Sequence, residues 1–162
     1  MNVTEFQEGE VEYVDVPYNW DDYENVGWNV PDYKDEITHS VWFDITIDGE
    51  ETLERVVFGL FGKTVPKTVE NFRALTTGEK GNGKSGKPLH YKGTQIFKVR
   101  VDYMIQGGDT EFNDGRGGES IYGETFEDEY LGFEFDRKFL LAMENDGPNT
   151  NNSKFTITLA SP

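Results

Sequence analysis

RVVFGLFGKTVPKTVENFRALTTG, residues 55–78, changes its hydrophobic period halfway through. Its first part, Arg55 to Phe61, is apolar and β-branched, which suits a strand. Pro66 then fits a first helical turn, Val69, Phe72 and Leu75 recur at helical spacing, and Gly78 fits a helix stop. Upstream, Val41, Phe43, Ile45 and Ile47 alternate with Trp42, Asp44, Thr46 and Asp48, so a strand with one buried face is expected there. Asp48-Gly49 is a turn signal, and the two strands read as a hairpin. Downstream, residues 78–88 read as a Gly- and Lys-rich loop, with short strands at Ile96–Val101 and Tyr103–Gln106. Residues 107–138 read as long ordered loops, and Phe139–Met143 and Phe155–Leu159 as two more strands. About six strands and one clear helix indicate a mainly β, antiparallel domain, either sandwich or barrel.

The chain has 162 residues, a size for one domain with an appendage. It carries 31 acids against 15 bases, a net charge of −16, which argues against nucleic acid or an anionic membrane surface as partner. With no cysteine, disulfide frameworks, thiolate metal sites and cysteine nucleophiles are excluded. No apolar run is long enough for a helical membrane span, and MNVTEFQEGE has acids where a signal peptide would be basic and then apolar.

A boundary is expected near residue 39. Residues 1–39 hold eleven acids and one base, Lys34, leaving twenty acids and fourteen bases for 40–162. Charge of that density opposes collapse, yet aromatics recur through the segment. Tyr13, Tyr18, Trp20, Tyr23 and Trp28 are expected to anchor in a groove of a protein partner. The alternatives are a strap packed on its own domain and an idle tail.

Two motif matches mislead. Residues 78–85 fit the phosphate-loop pattern G-x-x-x-x-G-K-S, and Gly81, Gly83 and Gly86 fit a dinucleotide fingerprint. Both motifs need a strand feeding the loop and a helix leaving it, because the helix N-terminus holds the phosphate. Here a helix feeds the loop and Lys87-Pro88 leaves it. His39 and His90 have no nucleophile at readable spacing. Glu124, Glu127, Asp128 and Glu129 lack calcium-loop spacing and read as solvated loop carboxylates.

VVFGLFGKTVPKTVENFRALTTGEKG (56–81), YMIQGGD (103–109), GGESIYGETFEDE (117–129) and GPNTNNSKF (147–155) together resemble the cyclophilins, a family of peptidyl-prolyl isomerases. The insert GKSGKPLHYKG (83–93) resembles the longer loop of divergent-loop members, and VVFGLFGKTVPKTVENF is similar in wording to secretory-pathway members. The resemblance covers about residues 40–160 and implies an antiparallel barrel of eight strands with two capping helices. The family continues past the position of Pro162, with a second helix, the last strands, and a tryptophan and histidine of the site. An incomplete barrel is therefore expected here, closed by residues 1–39, by a partner, or by further polypeptide.

The resemblance also implies a site and no cofactor. An arginine of the family acts on the twisted X-Pro amide, and glutamine and asparagine hold the peptide backbone. The arginine position falls on Lys98, which keeps the charge but not the planar fork. Phe97 stands for a histidine and Tyr103 for a phenylalanine, while Met104, Gln106 and Asn145 match. Glu144 brings a carboxylate to the rim, Lys154 replaces a glutamine, and Thr156 replaces a phenylalanine of the pocket wall. The expectation is a degenerate isomerase site in a structural or partner-binding element of a hetero-assembly. A working isomerase and a non-catalytic binder of proline-containing peptides are the rivals.

Overall fold

Strands β1 (Asn2–Val3), β2 (His39–Ile47) and β3 (Glu50–Leu60) form one antiparallel sheet in the order β1-β2-β3. The computed structural model from which this follows describes residues 2–3, 37–47, 50–132 and 134–160. Val41, Phe43 and Ile45 of β2 face the core, as their alternation demands. Ile47 does not: it is 47% exposed, because a register shift between Ile45 and Ile47 breaks the alternation. Asp44 and Thr46, expected outside, are buried. Asp44 lies opposite Arg55 in the register and takes a bidentate hydrogen bond from its guanidinium at 2.8 and 3.0 Å. The expected Asp48-Gly49 turn lies outside the described residues, as do Tyr13, Tyr18, Trp20, Tyr23 and Trp28.

Helix α1 (Pro66–Thr77) begins with proline in its first turn and ends at Gly78, whose φ of 72° is left-handed and whose N–H donates to the Ala74 carbonyl at 2.9 Å. Val69, Phe72 and Leu75 are buried on its inner face. Val65, at the N-cap, has no capping side chain. Glu129 does that work from 62 residues away, accepting the Lys67 N–H at 3.0 Å, the Thr68 N–H at 2.7 Å and the Thr68 hydroxyl at 2.8 Å. Asp128 is bonded to Asn149 and Asn151, and Glu127 to Lys67. These carboxylates, expected as solvated loop charges, tie the 122–129 loop to the helix and to the segment before β7.

The second antiparallel sheet contains β4 (Lys98–Arg100), β5 (Met104–Gly107), β6 (Leu141–Met143) and β7 (Phe155–Thr158), in the order β4-β5-β7-β6. Among the described residues the two sheets do not join into a closed barrel. The core between them is aromatic. Phe43 lies 5.1 Å from Phe58 and 5.6 Å from Phe155, and Tyr91 lies 5.1 Å from Phe72 and 5.5 Å from Phe155, ring centre to ring centre. Leu89 and Tyr91 carry no periodic signal, yet both are buried; the Tyr91 hydroxyl donates to the Ser153 carbonyl at 2.7 Å, which lets a phenol sit in an apolar core. Among the described residues no helix is long and apolar enough to cross a membrane.

Candidate functional site

The site face of the second sheet follows from the two-residue period. Ile105, Ile157 and Leu141 meet on one face, and all belong to or pack against the core. Side chains one residue away must point to the other face. Register sets Lys98 opposite Gln106, Gln106 opposite Thr156, and Thr156 opposite Ala142, a single row across the sheet. Met104 shares this face with Gln106, two residues along β5.

That row opens into a groove of about 340 Å³ lined by Phe97, Lys98, Gln106, Asp114, Gly115, Glu144, Asp146 and Lys154. Its floor is hydrogen-bonded. Gln106, only 4% exposed, donates from Nε2 to the Thr156 hydroxyl oxygen at 3.2 Å. Thr156 in turn donates to Glu144 Oε2 at 2.5 Å. Lys154 is also 4% exposed, and its ammonium is held by the Gly115 carbonyl at 3.1 Å and by Asp146 at 3.3 Å. Buried Lys154 is thus neutralised locally, as burial of a charge requires. Lys98 is half-buried.

One wall of the groove is the 109–118 loop, organised by Asp109. This residue is fully buried, and its carboxylate accepts five backbone N–H groups: Glu111 and Phe112 on Oδ1, Asp114, Gly115 and Gly117 on Oδ2. Burial pushes its carboxyl up, but the amides of Phe112, Gly117, Glu111 and Gly115 outweigh that and hold it below the usual aspartate range. The preceding Gly108 has φ of 84°, and a Cβ there would come within 2.5 Å of the Ser153 carbonyl, so only glycine lets the chain turn Asp109 inward. Asp114 forms an ion pair with exposed Arg116 at 2.6 Å, and hydrogen bonding from Arg116 holds its carboxyl low.

The structure brings together Lys98, Gln106, Thr156, Glu144 and Lys154 from the residues singled out in the sequence. Tyr103 is placed at the turn between β4 and β5, 58% exposed, and is not among the groove-lining residues. Asn145 is exposed, and its side chain accepts the Gly147 N–H at 3.2 Å. Asp114 and Gly115 escaped the sequence reading, because a Gly-rich loop carries no period. The loop with the phosphate-like pattern does hold an anion, but the protein's own: buried Glu119 accepts the Lys84 and Ser85 amides at 2.7 and 3.1 Å. Among the described residues, no group of three or more potential ligands could hold a metal ion.

The family profile described as "Cyclophilin type peptidyl-prolyl cis-trans isomerase/CLD" matches residues 42–162. The chain is also 53% identical over 123 residues to the peptidyl-prolyl cis-trans isomerase CYP21-1 of Arabidopsis thaliana. That alignment covers 76% of this chain and 54% of the relative, so the chain spans about half the length of the curated relative it matches. The open antiparallel sheets, the strand-to-helix segment at 55–78 and both matches agree that the chain belongs to the cyclophilin-type peptidyl-prolyl cis-trans isomerase family.

Proposed function

We propose that this domain binds proline-containing peptides in the groove over β4, β5 and β7, and that its isomerase catalysis is weakened by the charged residues there. The observation that carries the reading is the row Lys98–Gln106–Thr156, which lines up a cation and an amide on the face of the sheet turned away from the core. Rotation about an X-Pro bond must overcome a barrier of about 18–20 kcal/mol set by amide resonance. No bond is made or broken, so catalysis consists of binding the twisted amide better than the planar one. In that state the proline nitrogen becomes a hydrogen-bond acceptor. Lys98 offers it a donor and a positive charge, but a single flexible ammonium aims less well than a planar guanidinium. Gln106 faces the peptide backbone. Asp146 and Lys154 make the groove more polar than a proline ring prefers.

The test is exchange NMR on an Ala-Pro peptide with the purified chain. The reading expects saturable binding with cis-trans exchange only modestly accelerated. Absence of any shift at the groove residues would end it.

A second reading is a partner-binding element of a hetero-assembly. It is favoured by the β4 edge, where Val99 and Val101 are exposed beside Tyr103. Native mass spectrometry of the protein from its source tests it: recovery only as a free monomer removes this reading.

A further inference from the structure

We propose that Glu144 is a positioning residue: through the Thr156 hydroxyl it fixes the Gln106 amide with its carbonyl oxygen Oε1 left for a ligand. The inference rests on the peptide-binding reading and names what that groove offers first, an acceptor for a peptide N–H.

The argument is one of proton counting. A carboxylate can only accept, and a threonine hydroxyl has one proton to give. At 2.5 Å from Glu144 Oε2, Thr156 Oγ1 commits that proton to the carboxylate. Its lone pairs must then accept, and they accept Gln106 Nε2 at 3.2 Å. The amide's NH2 is therefore turned toward β7, and Oε1 takes no hydrogen bond among the described residues. Gln106 is nine-tenths buried yet lines the groove, so the free acceptor belongs to the groove.

The backbone enforces this arrangement. Gln106 and Thr156 are direct partners in the β5–β7 register. Glu144 follows the last residue of β6, and its N–H donates to the Lys154 carbonyl at 2.9 Å, which carries its side chain beside Thr156. Without the carboxylate, the Thr156 proton is free to go to Gln106 Oε1. The amide would then turn over and present NH2 to the groove, repelling the peptide N–H it should receive.

The experiment uses the full chain and an acetylated Ala-Ala-Pro-Ala amide peptide, with affinity read by NMR titration and the Gln106 side-chain amide protons read directly. Glu144→Ala and Thr156→Val should each weaken binding about fivefold, the worth of one hydrogen bond. Each should also move the Gln106 amide resonances in the absence of peptide. Thr156→Ser should retain both affinity and resonances. Glu144→Ala should change nothing further in a Thr156→Val background, since the relay is already cut. An undiminished Glu144→Ala effect in that background would mean that the carboxylate acts on the peptide directly, and would overturn the proposal. Unchanged Gln106 resonances in Glu144→Ala would overturn it as well. If the unmutated chain binds no peptide, the peptide-binding reading fails first; if it binds and Glu144→Ala is neutral, only the positioning role fails.

Discussion

Replacing Asp109 by Asn removes one charge and almost no volume, so its cost measures how much the groove wall depends on a single carboxylate. Five backbone amides converge on this residue, at 3.0 Å from Glu111 and Phe112, and at 3.3, 2.9 and 3.1 Å from Asp114, Gly115 and Gly117. The asparagine amide must set its NH2 where one carboxylate oxygen was. At least two N–H groups then lose their acceptor and face a donor in a fully buried place. Hydrogen bonds to a charged group contribute about 1.5–3 kcal/mol each. The loss should therefore be about 3–5 kcal/mol, against a total stability of about 5–15 kcal/mol for a domain. With a urea slope of about 2 kcal/mol per molar, the unfolding midpoint should fall by roughly 1.5–2.5 M. Hydrogen exchange should show lost protection at Gly115 and Gly117 before the core. Acid titration supplies a second readout. Asp109 is held below the usual range in the folded chain, so its contribution is present above about pH 3.9 and disappears as pH falls through the lower folded value. The asparagine variant should lack that part of the acid-induced loss. A midpoint shift worth under about 1 kcal/mol would refute the account, since that is one ordinary hydrogen bond.

Two further outcomes follow. Glu129→Ala strips the N-terminus of α1 of its distant cap and should cost about 1–2 kcal/mol, read as a drop of several degrees in Tm, with Glu129→Gln restoring only part of it, since one carboxylate oxygen becomes an NH2 that cannot accept. No loss on Glu129→Ala would mean that solvent caps the helix equally well. Lys98→Arg should raise kcat/KM for an X-Pro peptide about tenfold, because a planar fork aims its donors better. No gain would locate the deficit in the rest of the groove.

The match between sequence and structure is closest where one period runs unbroken. Residues 55–78 show their helix and both helix ends locally, and their strand apart from its earlier start at Glu50; the inward residues of β2 are legible up to the shift at Ile47, but the burial of Asp44 and Thr46 is not. The strand at Asn2–Val3 gave no such signal: a two-residue strand is too short to have a period. Leu89 and Tyr91, just past the 78–88 loop, have no period of their own, because their burial depends on core residues such as Phe72 and Phe155 arriving from elsewhere.

The motif resemblance located Lys98, Gln106, Glu144 and Thr156, but not what they do to one another. Local pattern settles which way a strand's side chains alternate, and hence that Gln106 and Thr156 avoid the core. Only the pairing of β5 with β7, 50 residues apart, makes them neighbours, and only the β6–β7 hairpin adds Glu144. The same holds for Glu129 and the helix it caps, 62 residues away. Secondary structure is dictated by forces that act within a turn or a strand. The charges and hydrogen bonds of the site act between segments, and these meet only when the aromatic core draws the two sheets together.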